Sequence, residues 1–182
     1  MTTTARNNLM INLDDIAPIP GTQHAGGSMQ SVNRIVIHCS ATPPGGHINS
    51  AERIHRMHRS DNNWDAIGYH FVVTLDGTVE GGRPPNRTGA GVRGYNRDSI
   101  HICLIGGLNA ARKPSASEYT QEQWDSLSEL CIALLDVYAD AEIVGHTDLS
   151  PLKTCPCFDV ADWWAGVLKR GTEEPETVEL SG

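Results

Sequence analysis

Apolar residues fall into runs whose lengths and periods predict strands and helices in mixed order. Val32 to Cys39 is β-branched and apolar, which predicts a buried strand. Thr42-Pro43-Pro44-Gly45-Gly46 ends it in a loop. Asn49 or Ser50 is placed to cap a helix running to about Asp61, with Ala51, Ile54 and His58 on one face. Gly68 to Leu75 predicts a second strand, Asp76-Gly77 a hairpin turn, and Thr78 to Gly81 its short partner. Arg83 to Gly94 is rich in Gly, Pro and Arg and reads as loop. Ser99 to Ile105 predicts another buried strand, ended by Gly106-Gly107, and Asn109 to Ser117 a polar surface excursion. The clearest helix follows Thr120, where Trp124, Leu127, Leu130, Cys131, Leu134, Leu135 and Tyr138 form a stripe of period 3.6. Glu142 to Val144 predicts a short strand. Asp159 is placed to cap a last helix, with Trp163, Val167 and Leu168 inward and Gly171 closing it.

The order β-α-β-β-β-α-β-α predicts an α/β fold: a single domain with a mixed central sheet flanked by helices. Neither an internal repeat nor an interdomain linker interrupts it. The expected division is an N-terminal extension over 1–31, partly disordered or wrapped on the domain, a folded domain over 32–170, and an acidic mobile tail over 171–182. The extension is polar and broken by Pro18, Pro20, Gly21, Gly26 and Gly27.

Charge and composition narrow the function classes. A formal net charge of −8 argues against a nucleic-acid binder, which needs a basic face, and against adhesion to an anionic membrane. No run approaches the ~18 apolar residues of a membrane span, so membrane insertion is not expected. The N-terminus has no apolar core of the kind a secretory signal carries. The expectation is synthesis in the cytoplasm, with any export by another device. Five cysteines leave at least one thiol unpaired. Cys155 and Cys157 are too close for an easy mutual disulfide, and Cys39, Cys103 and Cys131 read as small buried hydrophobes.

The candidate chemistry rests on His38 and His146, each ending an apolar run, and on Cys155 in Lys153-Thr154-Cys155-Pro156. Two imidazoles and one thiolate are zinc donors, and a fourth position open to water distinguishes a catalytic site from a structural one. Spacing alone favours three unrelated polar residues, because no CxxC or HExxH motif is present. Tyr69 reads as a proton donor beside the metal or as a packed ring with a wet hydroxyl, and Lys153 as an oxyanion stabiliser or, like most lysines, a solvated charge. Alternation on a strand sets Tyr69 and His70 on opposite faces. His55 and His58 read as a solvated helix face, and His101 as a packed core histidine. A Cys–His nucleophile is disfavoured for Cys39 beside His38, whose side chains diverge. Cys155 with His146 lacks a clear orienting third group.

In family order, the chain carries Ile37-His38-Cys39-Ser40-Ala41-Thr42, Gly68-Tyr69-His70-Phe71, Asp76-Gly77-Thr78-Val79-Glu80 and Gly94-Tyr95-Asn96. Ser99-Ile100 with Gly106-Gly107, Gly145-His146, and Lys153-Thr154-Cys155-Pro156 with Phe158-Asp159 follow. Together these resemble the zinc-dependent N-acetylmuramoyl-L-alanine amidases of the bacteriophage T7 lysozyme type, which share a fold with peptidoglycan recognition proteins. The resemblance spans roughly Val32 to Leu168. It implies one zinc ion held by His38, His146 and Cys155, with Tyr69 and Lys153 as catalytic residues. It further implies hydrolysis of the amide between N-acetylmuramic acid and L-alanine of peptidoglycan, by a phage or prophage endolysin reaching the cell wall or periplasm after release from the host cytoplasm. The expected partner is a muropeptide, met by a monomer, and a polymerase partner of the T7 kind stays open. Non-enzymatic members of this fold typically lack the cysteine ligand, so Cys155 ranks hydrolysis above simple binding. Three positions depart from the T7-type pattern. Gly91 stands where a groove-lining His precedes Gly-Tyr-Asn, His101 replaces a common Gly, and Cys157 replaces a small polar residue.

Overall fold

A computed structural model of the chain describes residues 11–172. Five strands and four helices follow in the order β1 (Arg34–Cys39), α1 (Ala51–Ser60), β2 (Phe71–Val73), β3 (Val79–Gly81), β4 (Ser99–Leu104), α2 (Gln121–Val137), β5 (Glu142–Gly145), α3 (His146–Leu149) and α4 (Val160–Thr172). The sheet runs β3-β2-β4-β1-β5. β2 and β3 pair antiparallel and every other neighbour pairs parallel, giving the mixed sheet that the element order predicts. The central strands are continuous apolar runs because both their faces are covered. Ile35, Val36 and Ile37 of β1 and Ile100, Ile102 and Cys103 of β4 are fully buried.

Alternation divides those side chains between two layers. Ile35, Ile37 and Cys39 join Ile100, Ile102 and Leu104 beneath α2, which contributes Leu127, Leu130, Cys131 and Leu134. Val160, Trp163 and Trp164 of α4 extend that layer. On the other face Val72 and Cys103 meet Ala51 and Ile54 of α1. Residues before β1 also belong to the packing: Ile11, Leu13, Ile16 and Met29 lie against the larger cluster, and Ile19 is buried in the smaller.

Helix starts sit where local chemistry puts them. Ser50 accepts from the Arg53 N–H. Asp159 Oδ1 accepts from the Asp162 N–H at 2.9 Å. Thr120 forms a reciprocal box with Gln123, and its hydroxyl also donates to Leu75 O at 2.7 Å. Thr120→Ala is therefore expected to cost about 1 kcal/mol, read as a lower urea midpoint with an unchanged slope.

The structure departs from the sequence expectation in places. β2 begins at Phe71, not Gly68. The carbonyls of residues 68 and 69 are instead taken by the following loop, with Ala90 N–H donating to Gly68 O and Arg83 N–H to Tyr69 O. Gly171 lies inside α4 and does not close it; residues 173–182 of the expected tail fall outside the described ones. α3 is a single turn that periodicity cannot reveal. The Gly-, Pro- and Arg-rich loop is ordered by its own arginines. Arg83, with its side chain 2% exposed, pairs with Asp65 at 2.7 Å and donates to Ile67 O and Thr88 O. No helix among the described residues is long and apolar enough to cross a membrane.

Candidate metal centre

Strand register brings the first two donors together. β1 and β5 are parallel neighbours whose last paired row is Ile37 with Gly145, so His38 and His146 leave the same edge of the sheet side by side. Their Nδ1 atoms are 3.2 Å apart. Cys155 Sγ lies 3.9 Å from His38 Nδ1. The donor atoms of His38, His146 and Cys155 all fall within 4.8 Å of one another. A tetrahedral zinc, at about 2.0–2.1 Å from nitrogen and about 2.3 Å from sulfur, sets two nitrogens about 3.3 Å apart and nitrogen from sulfur about 3.6 Å apart. The 3.2 Å between the nitrogens matches that spacing, and the 3.9 Å from His38 Nδ1 to Cys155 Sγ lies a few tenths of an ångström beyond it.

The third donor needs a loop folded back on α3. Thr147 N–H donates to Cys155 O at 2.9 Å, and Thr147 Oγ1 donates to Lys153 O at 2.7 Å. Tyr119 reaches from the α2 side to donate its hydroxyl to Pro156 O at 2.8 Å. The Cys39 N–H then points at Cys155 Sγ, 3.0 Å away, and steadies the ligand from behind. Thus the residue after one ligand orients another.

Electrostatics keep the two histidine donors unprotonated. Burial, then the neighbouring His146 and His70, hold the His38 pKa well below the ordinary imidazole value. Burial and the Lys153 charge lower that of His146. Both rings are consequently neutral near pH 7, with lone pairs available to a metal. Tyr69 packs its ring 5.2 Å from that of His38, and burial, with Cys103 next, keeps its phenol protonated far into the alkaline range. Lys153 stands exposed on the ligand loop. The structure thus gathers His38, His146, Cys155 and Tyr69 directly, and Lys153 by its charge.

A family model for N-acetylmuramoyl-L-alanine amidase matches residues 28–158, which takes in every one of these side chains. The chain belongs to this amidase family. Among curated relatives, the endolysin of Escherichia phage T7 is 39% identical over 135 residues, which cover 74% of this chain and 87% of that one. Among solved structures, the Ph2119 endolysin from the Thermus scotoductus MAT2119 bacteriophage Ph2119 superposes with a TM-score of 0.66 at 29% identity, over 85% of this chain and 92% of that one. A bumblebee peptidoglycan recognition protein, PGRP-SA, shares the fold at 24% identity and a TM-score of 0.61, over 78% of this chain and 83% of its own.

Of the amidase's other cysteines and histidines, the cysteines sit as the chain suggests and several histidines do not. Cys39 turns to the α2 layer, away from His38, as strand alternation requires. Cys157 lies outside the donor trio, donating to Gly107 O at 3.1 Å with Cys39 Sγ 4.0 Å away. Tyr69 and His70 do not part to opposite layers. Tyr69 meets His38, and His70 stacks at 5.7 Å on His101, which itself lies 5.1 Å from His38. Alternation fails there because both precede β2. His55 and His58 are not a solvated face either. His58 is buried and accepts from the Gly68 N–H at 3.0 Å, while His55 accepts from the Ile67 N–H at 3.3 Å. The two rings accept from buried N–H groups of the segment that carries Tyr69, a role without any sequence signal.

Burial, with Arg83 assisting, lowers the pKa of His58 and of His70 to about 4. Each ring is neutral in the fold and protonates near 6.5 when unfolded, so protons favour the unfolded chain. Metal-free protein is therefore expected to hold full stability above about pH 6.5. As the pH falls from there towards 4 it loses up to about 3 kcal/mol per ring. Urea midpoints measured across that window test this; a flat profile would contradict it.

Proposed function

We propose that this protein is a zinc-dependent N-acetylmuramoyl-L-alanine amidase of the endolysin kind. Its reaction is hydrolysis of the amide between the lactyl group of N-acetylmuramic acid and the L-alanine of the stem peptide in peptidoglycan. The supporting observation is the convergence of two neutral imidazoles and one cysteine sulfur within 4.8 Å, in a chain of this family. We place its work at the bacterial cell wall, after release from the cytoplasm.

In this reading His38, His146 and Cys155 hold the ion. Bound zinc supplies Lewis acidity, which makes water a nucleophile near neutral pH and polarises the scissile carbonyl. Neutral His38 and His146 keep their lone pairs for that duty because burial disfavours their protonated forms. Tyr69, held protonated, donates a hydrogen bond towards the reacting oxygen atoms. Lys153 brings a fixed positive charge to the rim of the site, where it counters the negative charge that develops on the carbonyl oxygen. The Cys39 N–H keeps Cys155 aimed inward throughout.

Purified protein is expected to carry about one zinc per chain by elemental analysis and to release stem peptide from purified sacculi. Chelation should abolish release, and stoichiometric zinc should restore it. Activity that survives complete removal of metal would refute the proposal. Muropeptide binding without release would turn it into a recognition module.

A further inference from the structure

The feature that the proposed chemistry leaves unused is a second, deeper imidazole. His101 lies on β4, opposite Val36 of β1, and is 0% exposed. Its strand neighbours Ile100 and Ile102 are apolar core. Its Nδ1 atom stands 3.0 Å from Nε2 of His38, the ring nitrogen that faces away from the donor trio. Its own Nε2 is the buried side-chain atom without a hydrogen-bond partner among the described residues.

Space for this ring is made by two glycines. A Cβ at Gly91 would come 2.5 Å from His101 Nδ1 and 2.8 Å from its Cγ, and one at Gly89 would come 2.5 Å from its Cδ2. The imidazole therefore lies flat on bare backbone. Two departures from the T7-type pattern, Gly91 for a His and His101 for a Gly, thus concern one volume. The imidazole that fills it is carried by strand β4, not by the loop. On its other side His70 fixes the ring's backbone. The His101 N–H donates to His70 Nδ1 at 2.9 Å, and His70 Nε2 donates to Arg87 O at 2.8 Å.

The proton positions follow from the ligand geometry. His38 turns Nδ1 towards His146 and Cys155. To offer that lone pair, neutral His38 must carry its proton on Nε2, where the facing group is His101 Nδ1, an acceptor. His101 then holds its own proton on Nε2, the atom left without a partner. A buried unpaired N–H costs stability, and an apolar side chain would fill the same volume without that cost. The bond to His38 is the contact that accounts for a histidine here.

We propose that His101 is a positioning residue for the metal centre: it accepts the Nε2–H of His38 and so holds that ring in the tautomer and orientation that present Nδ1 to the zinc. This rests on the zinc reading above, but its test can be separated from it. Long-range nitrogen–proton NMR of metal-free wild type near pH 7.5 reads the His38 tautomer directly. The Nε2–H form is expected; the Nδ1–H form would overturn the proposal whether or not the protein takes up zinc. Chelator competition then compares zinc affinity in wild type and His101→Phe, which keeps a ring but removes the acceptor. A 10–100-fold weaker affinity is expected in variant that retains its circular dichroism spectrum. Wild-type affinity in such a folded variant would overturn the proposal. If His101→Phe does not fold, the wild-type NMR spectrum alone decides.

Discussion

Cys155→Ala is expected to lose bound zinc and to lower amidase turnover by roughly 10³-fold or more, because Lewis-acid stabilisation worth several kcal/mol disappears with the ion. The fold should survive. The loop that carries Cys155 is held by main-chain and hydroxyl contacts that do not involve its sulfur: Thr147 to Cys155 O and Lys153 O, and Tyr119 to Pro156 O. What remains after the substitution is His38 and His146, two neutral donors without the anionic one, a set that zinc holds far more weakly. Elemental analysis beside a sacculus assay gives the answer, with circular dichroism and thermal melts as folding controls. Full zinc occupancy and full turnover in the variant would remove Cys155 from the centre, and with it the reaction proposed above.

Lys153→Met is expected to leave zinc in place and lower kcat about 10²–10³-fold, the loss typical for removing one group that stabilises a developing oxyanion. KM should move little, since the charge acts on the transition state more than on the bound substrate. Lys153 is exposed, so the change removes no core packing. One side effect has a predictable sign. The Lys153 charge helps lower the His146 pKa, so its loss lets that pKa rise and lets protons compete for the ring at slightly higher pH. Measurement near pH 8 therefore isolates the effect on catalysis. Lys153→Arg, which keeps the charge, should retain more activity than Lys153→Met. Equal kcat in wild type and Lys153→Met would leave Lys153 as a solvated surface charge.

How much of this was legible in the chain differs from residue to residue. The stripe from Trp124 to Tyr138 and the cap at Thr120 were readable because helix formation there is local: period, cap and box lie within one segment. The start of β2 was not. The apolar look of Gly68 to Phe71 does not reveal that the Ala90 and Arg83 N–H groups take the carbonyls of Gly68 and Tyr69 respectively. His58 reads as half of a surface pair until Gly68 and Tyr69 are folded against it.

The sequence by itself determined the alternation of strands and helices, the acidic overall balance, and, through segments in family order, membership in an amidase family. These follow from local periodicity, composition and motif order, which need no knowledge of what meets what. Only the tertiary structure decided that donors more than a hundred positions apart converge, since His38 and His146 become neighbours through the β1–β5 register. It likewise decided that Cys39 steadies Cys155, and that His101 and Gly91 share one volume behind His38. The reason is physical: a ligand cage and its supporting shell are set by strand order and by the space between layers, and neither quantity is encoded in any single stretch of chain.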